Sequence, residues 1–374
     1  MGRFHLLTSL TILDCEKVRS ISEEYLSGLH SLKSVWMGPF WSELEEFPGL
    51  GLTSIPHCNI SIETLFLKGW DKIKSLPHQL QHFTALKQLT ILNFNGVEAF
   101  PEWLGDLSSL VSLSIVSCNK LNRIPKECLA TLTRLKRLRM GPFYSELEGF
   151  PGLTSIHHLH ASLEDLELVG WDKLKSLPDQ LRHLTALKEL RMVSFTGVEA
   201  LPEWLGNLSS LTSLSINRRN KLKSIPEECL GRLTCLKELW MGPFWSELEE
   251  YPGLTSIHHL HASLKYLTLE GWDKLKALPH QLRHLTALER LIIFRFNGVE
   301  ALPEWLGDLS SLHELRIFDC DNLTHLPSVK AMHHLSNLES LCIGGGCSKL
   351  KERCAKERGP EWPKIAHIPH ILIG

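Results

Sequence analysis

The strongest constraint on this chain is that it repeats itself on two scales. Pro-Glu-Trp-Leu-Gly recurs at 101–105, 202–206 and 303–307, and a Gly-Trp-Asp-Lys stretch recurs at the same interval around Trp70, Trp171 and Trp272. The block Met-Gly-Pro-Phe begins at Met37, Met140 and Met241, and its longer first gap fits an extra Gly51-Leu52 in one loop. Copies this similar indicate recent internal duplication. Inside them runs a shorter pattern, an apolar residue followed by others three and five places on. It begins at Leu7, Leu32, Ile62, Leu86, Leu110, Leu135 and Leu163, and again at Leu187, Leu211, Leu236, Leu264, Leu288, Leu312 and Leu338. These are fourteen units, four to each 101-residue copy. A single compact core stops growing near ~250–300 residues, but a repeat array escapes that limit by burying its core along a line.

The spacing L-x-x-L-x-L, with a special residue three places on, is the leucine-rich-repeat template. Apolar residues that alternate with polar ones give a strand with one buried face. The second half of each unit, such as Leu201 to Leu211, turns back and returns its leucines to the same core. No unit can bury its apolar side alone, so stacking builds a continuous core and a parallel sheet. The expected fold is an α/β repeat solenoid: a leucine-rich-repeat horseshoe with a concave parallel β-sheet and an irregular or short-helical convex side. The array is expected over 1–345 and a C-terminal capping tail over 346–374. The special residue falls at Cys15, Phe40, Trp70, Phe94, Cys118, Phe143 and Trp171, then at Phe195, Arg219, Phe244, Trp272, Phe296, Cys320 and Gly346. An aromatic there is expected to fill volume and stack as core. At Arg219, a bulge that turns Asn220 inward avoids burying an unpaired guanidinium.

Chemistry-bearing motifs are scarce. With 40 Lys+Arg against 42 Asp+Glu, the surface as a whole has no electrostatic grip on nucleic acid or membrane. No GxxxxGK[ST], GxGxxG, GxSxG or HExxH is present, so neither enzyme nor cofactor is expected. His157-His158-Leu-His160 and its copy His258-His259-Leu-His261 lie four units apart, too far to share an ion, and each alone lacks a full ligand set; no metal is expected. Ten cysteines are too few for a disulfide scaffold, and Cys15, Cys118, Cys128, Cys229 and Cys320 read as small buried residues. Cys342, Cys347 and Cys354 crowd near the C-terminus. The sequons at Asn59, Asn207 and Asn322 read as incidental, and Lys349–Arg358 as a solvated basic segment. The first residues carry no secretory h-region and no run reaches a membrane span, so the expectation is a soluble, cytoplasmic protein.

One functional signal comes from comparing the copies. The return segment Val198–Gly206 recurs unchanged at 299–307, whereas outward strand positions diverge: Phe66, Glu167 and Thr268 in one set, Thr90, Arg191 and Ile292 in the next. Lys68, Val169 and Glu270, and Asn93, Ser194 and Arg295, differ in the same way. Drift on an unconstrained surface is one reading. Against it, the return segments also expose residues and have changed far less. The sheet face also gains large aromatics, which mark contact sites. The candidate protein-binding residues are Arg137, Arg139, Glu167, Arg191, Trp240, Tyr266, Arg290, Phe294, Arg316 and Phe318. This Trp/Tyr/Arg mixture is the one enriched at protein interfaces. Acidic neighbours, including Asp165, Glu189 and Glu314, keep the face mixed in sign, so the expected ligand is a protein and not a phosphate backbone.

The C-terminal run from Gly346 through Glu361-Trp-Pro-Lys-Ile-Ala-His-Ile to Ile371 resembles the ending of plant nucleotide-binding leucine-rich-repeat disease-resistance proteins of the coiled-coil class. The Leu-x-Ser-Leu-Pro segment at Leu174–Pro178 is similar to theirs as well. The resemblance implies recognition of a pathogen effector, or of a guarded host protein, in innate immunity. Such proteins also carry a signalling module and a nucleotide-binding switch, and the phosphate loop is absent from this sequence. The chain is therefore expected to be the recognition part, or a truncated paralogue, partnered by a separate nucleotide-binding or signalling module. The alternative is a general leucine-rich-repeat scaffold for intracellular signalling proteins.

Overall fold

A computed structural model describes residues 6–21, 29, 31–48, 62–217 and 221–374. The Gly51-Leu52 insertion, the Asn59 sequon and the Arg219–Asn220 bulge lie outside the described residues. The repeat pattern converts directly into strands. In Asp165–Val169, Leu166 and Leu168 are buried while Asp165, Glu167 and Val169 face outward, as a two-residue period requires. Each buried leucine contributes about 1.5–3 kcal/mol of transfer free energy, and every unit supplies several.

The chain divides into two compact units, Met1–Leu174 with Pro178–Leu187, and Lys175–Leu177 with Lys188–Gly374. The first unit carries β1 (Ser9–Leu13), β2 (Ser34–Gly38), β3 (Thr64–Lys68) and β4 (Gln88–Leu92). It continues with β5 (Ser112–Val116), β6 (Arg137–Gly141) and β7 (Asp165–Val169), all parallel and paired in chain order. The second unit carries β8 (Glu189–Val193), β9 (Ser213–Asn217), β10 (Glu238–Gly242) and β11 (Tyr266–Glu270). After these come β12 (Arg290–Phe294), β13 (Glu314–Phe318), β14 (Ser340–Gly344) and β15 (His370–Ile373), again parallel and sequential. Within each unit the pairing is in register, so the outward first, third and fifth strand residues form rows. This is a leucine-rich-repeat solenoid.

Several return segments are short 3₁₀ turns, and the one after β13 is an α-helix, Val329–His334. Glu102–Asp106, Glu203–Asn207 and Glu304–Asp308 each follow a proline, whose missing N–H costs nothing at a helix start. Their leucines, Leu104, Leu205 and Leu306, are fully buried. Two strand-ending glycines are fixed by geometry. Gly141 has φ +95°, and a Cβ there would stand 2.2 Å from the Val169 carbonyl oxygen; Gly242 has φ +96° and the same 2.2 Å approach to Glu270. Only glycine fits both demands.

The described ladder residues from Phe40 to Cys320 are core, whereas Cys15, expected to be buried, is half-buried. Phe94, Cys118, Phe143, Phe296 and Cys320 are buried, and Phe143, Phe150 and Trp171 pack with ring centroids 4.8–6.2 Å apart. The expectation that these aromatics only fill volume needs correction for tryptophan. The indole N–H groups of Trp70, Trp171 and Trp272 donate to the carbonyls of Leu44, Leu147 and Leu248 at 2.7, 2.7 and 2.6 Å. Each ladder tryptophan thus anchors the loop of the preceding unit.

The last ladder slot also differs from expectation. Gly346 is exposed and Cys347 fills the interior, accepting the Cys320 N–H at 3.2 Å. Gly345 at φ +62° and the Gly346 N–H bonded to Asp319 take up one extra residue in the turn, which moves the inward position on by one. Beyond it the tail forms helices Ser348–Arg353 and Trp362–Ile365 before β15 pairs with β14. Glu361, 3% exposed, accepts from the Leu326 N–H and Lys364 at 2.8 and 2.7 Å and from Arg353 at 3.3 Å. Those three bonds tie the tail to the last repeats.

Candidate protein-binding face

All ten residues singled out from the sequence stand at outward strand positions, because each occupies the first, third or fifth place of its strand. Arg137, Arg139, Trp240, Tyr266 and Arg290 are exposed; Glu167, Arg191, Phe294, Arg316 and Phe318 are half-buried.

In the first unit, Arg139 on β6 is level with Glu167 on β7, and the two form an ion pair at 3.0 Å. Arg137 lies two residues before Arg139 on the same face. In the second unit, Arg191 pairs with Glu189 on its own strand. Further along, Tyr266, Arg290 and Glu314 share one row of β11, β12 and β13. The Arg290 guanidinium lies 5.3 Å from the Tyr266 ring centre and bonds Glu314, which Arg316 also holds at 2.6 Å. Burial opposes charging of Glu314, but the two arginines outweigh it and hold its carboxyl below the usual carboxylate range. Phe294 and Phe318 are level on β12 and β13, and the Arg295 guanidinium sits over Phe294 at 4.8 Å while bonding Glu270 at 2.9 Å. Trp240 stands in the middle row of β10, between Ser215 and Thr268, and is 40% exposed, as is Tyr266.

The sequence places arginines among the candidate protein-binding residues. Four of the five candidates, Arg139, Arg191, Arg290 and Arg316, are engaged laterally with acids of this chain, as is Arg295 in the turn just beyond β12. Such exposed pairs contribute only about 0–1 kcal/mol each to stability, but they hold the guanidiniums in place. What the face presents without such charge pairing is aromatic and aliphatic surface: Trp240, Tyr266 and Ile292 beside the half-buried Phe294 and Phe318. Tyr144 and Trp245, 41% and 37% exposed, are further exposed aromatics off the strands, each directly after a ladder phenylalanine. The repeated pair Phe-Tyr or Phe-Trp after Met-Gly-Pro was the signal that could have found them. Lys223 lies over the Trp245 ring at 4.5 Å, as Arg19 lies over Trp41 at 4.2 Å. Asn93, Ser194 and Arg295 are not strand residues but the turn just beyond, with φ near +59°.

Among the described residues no three His, Cys, Asp or Glu side chains come together in a way that could hold a metal. His157 and His158 are adjacent rings 4.1 Å apart, and His258 and His259 repeat that geometry. Burial pushes the Cys118 and Cys128 thiols up to about 12, the opposite of what a nucleophile requires. No helix among the described residues is long and apolar enough to cross a membrane.

Comparison with known proteins places this geometry. The family model of the R13L1/DRL21 leucine-rich repeats matches residues 52–143 and 280–345. No curated protein matches in sequence. Among solved structures, a leucine-rich-repeat protein of Leptospira interrogans is 19% identical with a TM-score of 0.59, covering 90% of this chain and 92% of its own. An internalin of Listeria monocytogenes, inlF, is also 19% identical, with a TM-score of 0.59 and coverage of 90% and 87%. The Toll–Spätzle complex of Drosophila gives a TM-score of 0.63 at 16% identity, over 90% of this chain and 46% of that one. At these identities the likeness concerns the fold. The chain has the leucine-rich-repeat fold, and the family model supports leucine-rich repeats over part of its length.

Proposed function

We propose that this chain is an intracellular, non-enzymatic recognition module of plant innate immunity, binding a pathogen effector or a guarded host protein on the outward face of its strands. One observation carries the reading: neighbouring strands β10 and β11 expose Trp240 and Tyr266 at 40% each, amid charges already paired within the chain. Large amphipathic side chains on a rigid sheet are suited to be interface anchors, since they bury area at little entropic cost. The immune assignment is supported by the resemblance of the C-terminal tail and by the R13L1/DRL21 repeat match over part of the chain. Signalling is then the task of a separate nucleotide-binding module, and no cofactor is needed here. The test is the triple variant Trp240→Ala, Tyr266→Ala, Phe294→Ala. Proteins retained from effector-expressing plant tissue by the parent chain should be lost by the variant, with circular dichroism unchanged. Retention of the same set by both would refute the strand-face site, and a set indifferent to the effector would favour a housekeeping scaffold.

A further inference from the structure

The loops that follow the strands hold a second concavity, away from the strand face. In the second unit an open groove of about 1100 Å³ lies between residues 223–227 and 248–255, with Asp273–Lys276 alongside. Ile225, Leu248, Tyr251, Pro252 and Gly253 give it an apolar lining. The first unit has the same groove one copy earlier, on Ile124, Phe150, Pro151 and Gly152, but of about 430 Å³. The duplication therefore kept the site's framework while its rim changed. Where the earlier copy has Arg123, Lys126 and Gly149, the later one has Ser224, Glu227 and Glu250, against a single change in the other direction, Asn122 to Lys223.

These exchanges reverse the charge. The earlier groove sets Arg123 and Lys126 against Glu102. In the later one, Lys223 is held by Glu199 at 2.9 Å and Lys274 by Glu247 at 2.5 Å, and neither of those glutamates lines the groove. Glu227, Glu249, Glu250 and Asp273 then outnumber Lys276, the remaining lining cation, and all five are exposed. We propose that this groove docks a basic segment of a partner protein. Its arginine or lysine side chains would meet the Glu227, Glu249 and Glu250 carboxylates, and its apolar residues and aliphatic stems would lie on Ile225, Tyr251 and Pro252. Electrostatic complementarity of this kind sets partner choice and encounter rate, and long cationic side chains bury their stems on apolar surface. The groove is independent of the strand-face reading, because none of its lining residues is an outward strand residue.

The probe is a fluorescein-labelled octapeptide of alternating Arg and Leu, with its Glu–Leu counterpart as control, read by fluorescence anisotropy on the full chain. The basic peptide should bind, and binding should weaken as salt shortens the screening length. Glu227→Lys with Glu250→Lys should raise its Kd about tenfold or more, since two attractive charges become repulsive. Glu146→Lys with Glu148→Lys changes the net charge equally in the earlier copy and should leave the Kd within about twofold. Trp240→Ala with Tyr266→Ala should leave it unchanged as well. The proposal is overturned if the groove variant binds like the parent, if either control pair loses as much as the groove variant, or if the Glu–Leu peptide binds equally well.

Discussion

Replacing Trp272 by Phe isolates the part of the ladder that stacking does not explain. The substitution removes the indole N–H that donates to Leu248 at 2.6 Å and leaves that carbonyl without the donor. A lost hydrogen bond of this kind costs about 0.5–1.5 kcal/mol. The smaller ring also opens space beside Tyr251 and Phe244, whose centroids stand 5.3 and 6.1 Å from Trp272. Complete truncation of a buried tryptophan costs about 3–5 kcal/mol, so removing one of its two rings costs roughly 1 kcal/mol. The sum, about 2 kcal/mol, is about a 30-fold rise in local opening. Because repeats unfold in nearest-neighbour fashion, the readout is amide hydrogen exchange of the loop 245–251 and not a global midpoint. Trp240→Ala supplies the contrast: a 40%-exposed face residue should change exchange by no more than a surface substitution does, within about 0.5 kcal/mol. If Trp272→Phe left the loop's exchange unchanged, the ladder tryptophans would be fillers and the anchoring argument would fail.

Three further outcomes follow from buried groups. Tyr251 donates its hydroxyl to the carbonyl of Met241 at 2.7 Å, and that of Glu270 lies 3.2 Å from it, so Tyr251→Phe should destabilise the second unit by about 1 kcal/mol in urea unfolding, while the earlier copies already carry Phe47 and Phe150 there. Glu361→Gln breaks a buried ionic cluster and should cost the tail about 3–5 kcal/mol, read as proteolysis of β15. Burial pushes the Glu361 carboxyl up, but Lys364, the Leu326 N–H and Arg353 outweigh it, so its folded-state value lies below the ordinary 4.5. Its stabilisation is therefore complete above that pH and is lost as the pH falls through the lower folded value, so proteolysis of the parent tail should accelerate only in that acid range. Iodoacetamide should label exposed Cys235 well before Cys118 or Cys128, whose thiols burial pushes up to about 12; early labelling of Cys118 would contradict its place in the ladder.

The strands were legible because a buried leucine at every second place, renewed each 24 to 30 residues, has one structural solution. The aromatic ladder was legible for the same reason, since Phe94 or Phe296 has nowhere else to go once its strand is placed. Local backbone detail was not. The shift from Gly346 to Cys347 depends on one extra turn residue, which the spacing alone does not reveal. The strand His370–Ile373 was signalled by Ile368, Ile371 and Ile373, which repeat the three-and-five spacing, but the stretch from Gly346 to Ile368 departs from the repeat and masked it. On the face, the positions of Arg290 and Glu314 could be read, but not that they pair, because strand-to-strand register turns a separation of 24 residues into a contact. The indole bonds to Leu44, Leu147 and Leu248 were missed by treating tryptophan as volume only. The groove of the second unit depends on how two loops meet, which the repeat period does not encode.

The central claim is that a partner protein covers the strand face, and hydroxyl-radical footprinting of the captured complex tests it side chain by side chain. Trp240 and Tyr266 should lose reactivity when the partner is bound, while Trp103, Trp204 and Trp305, half-buried on the return segments, keep theirs. Protection of those three return-side tryptophans, with Trp240 and Tyr266 still oxidised as in the free chain, would place the partner on the other side and contradict the account.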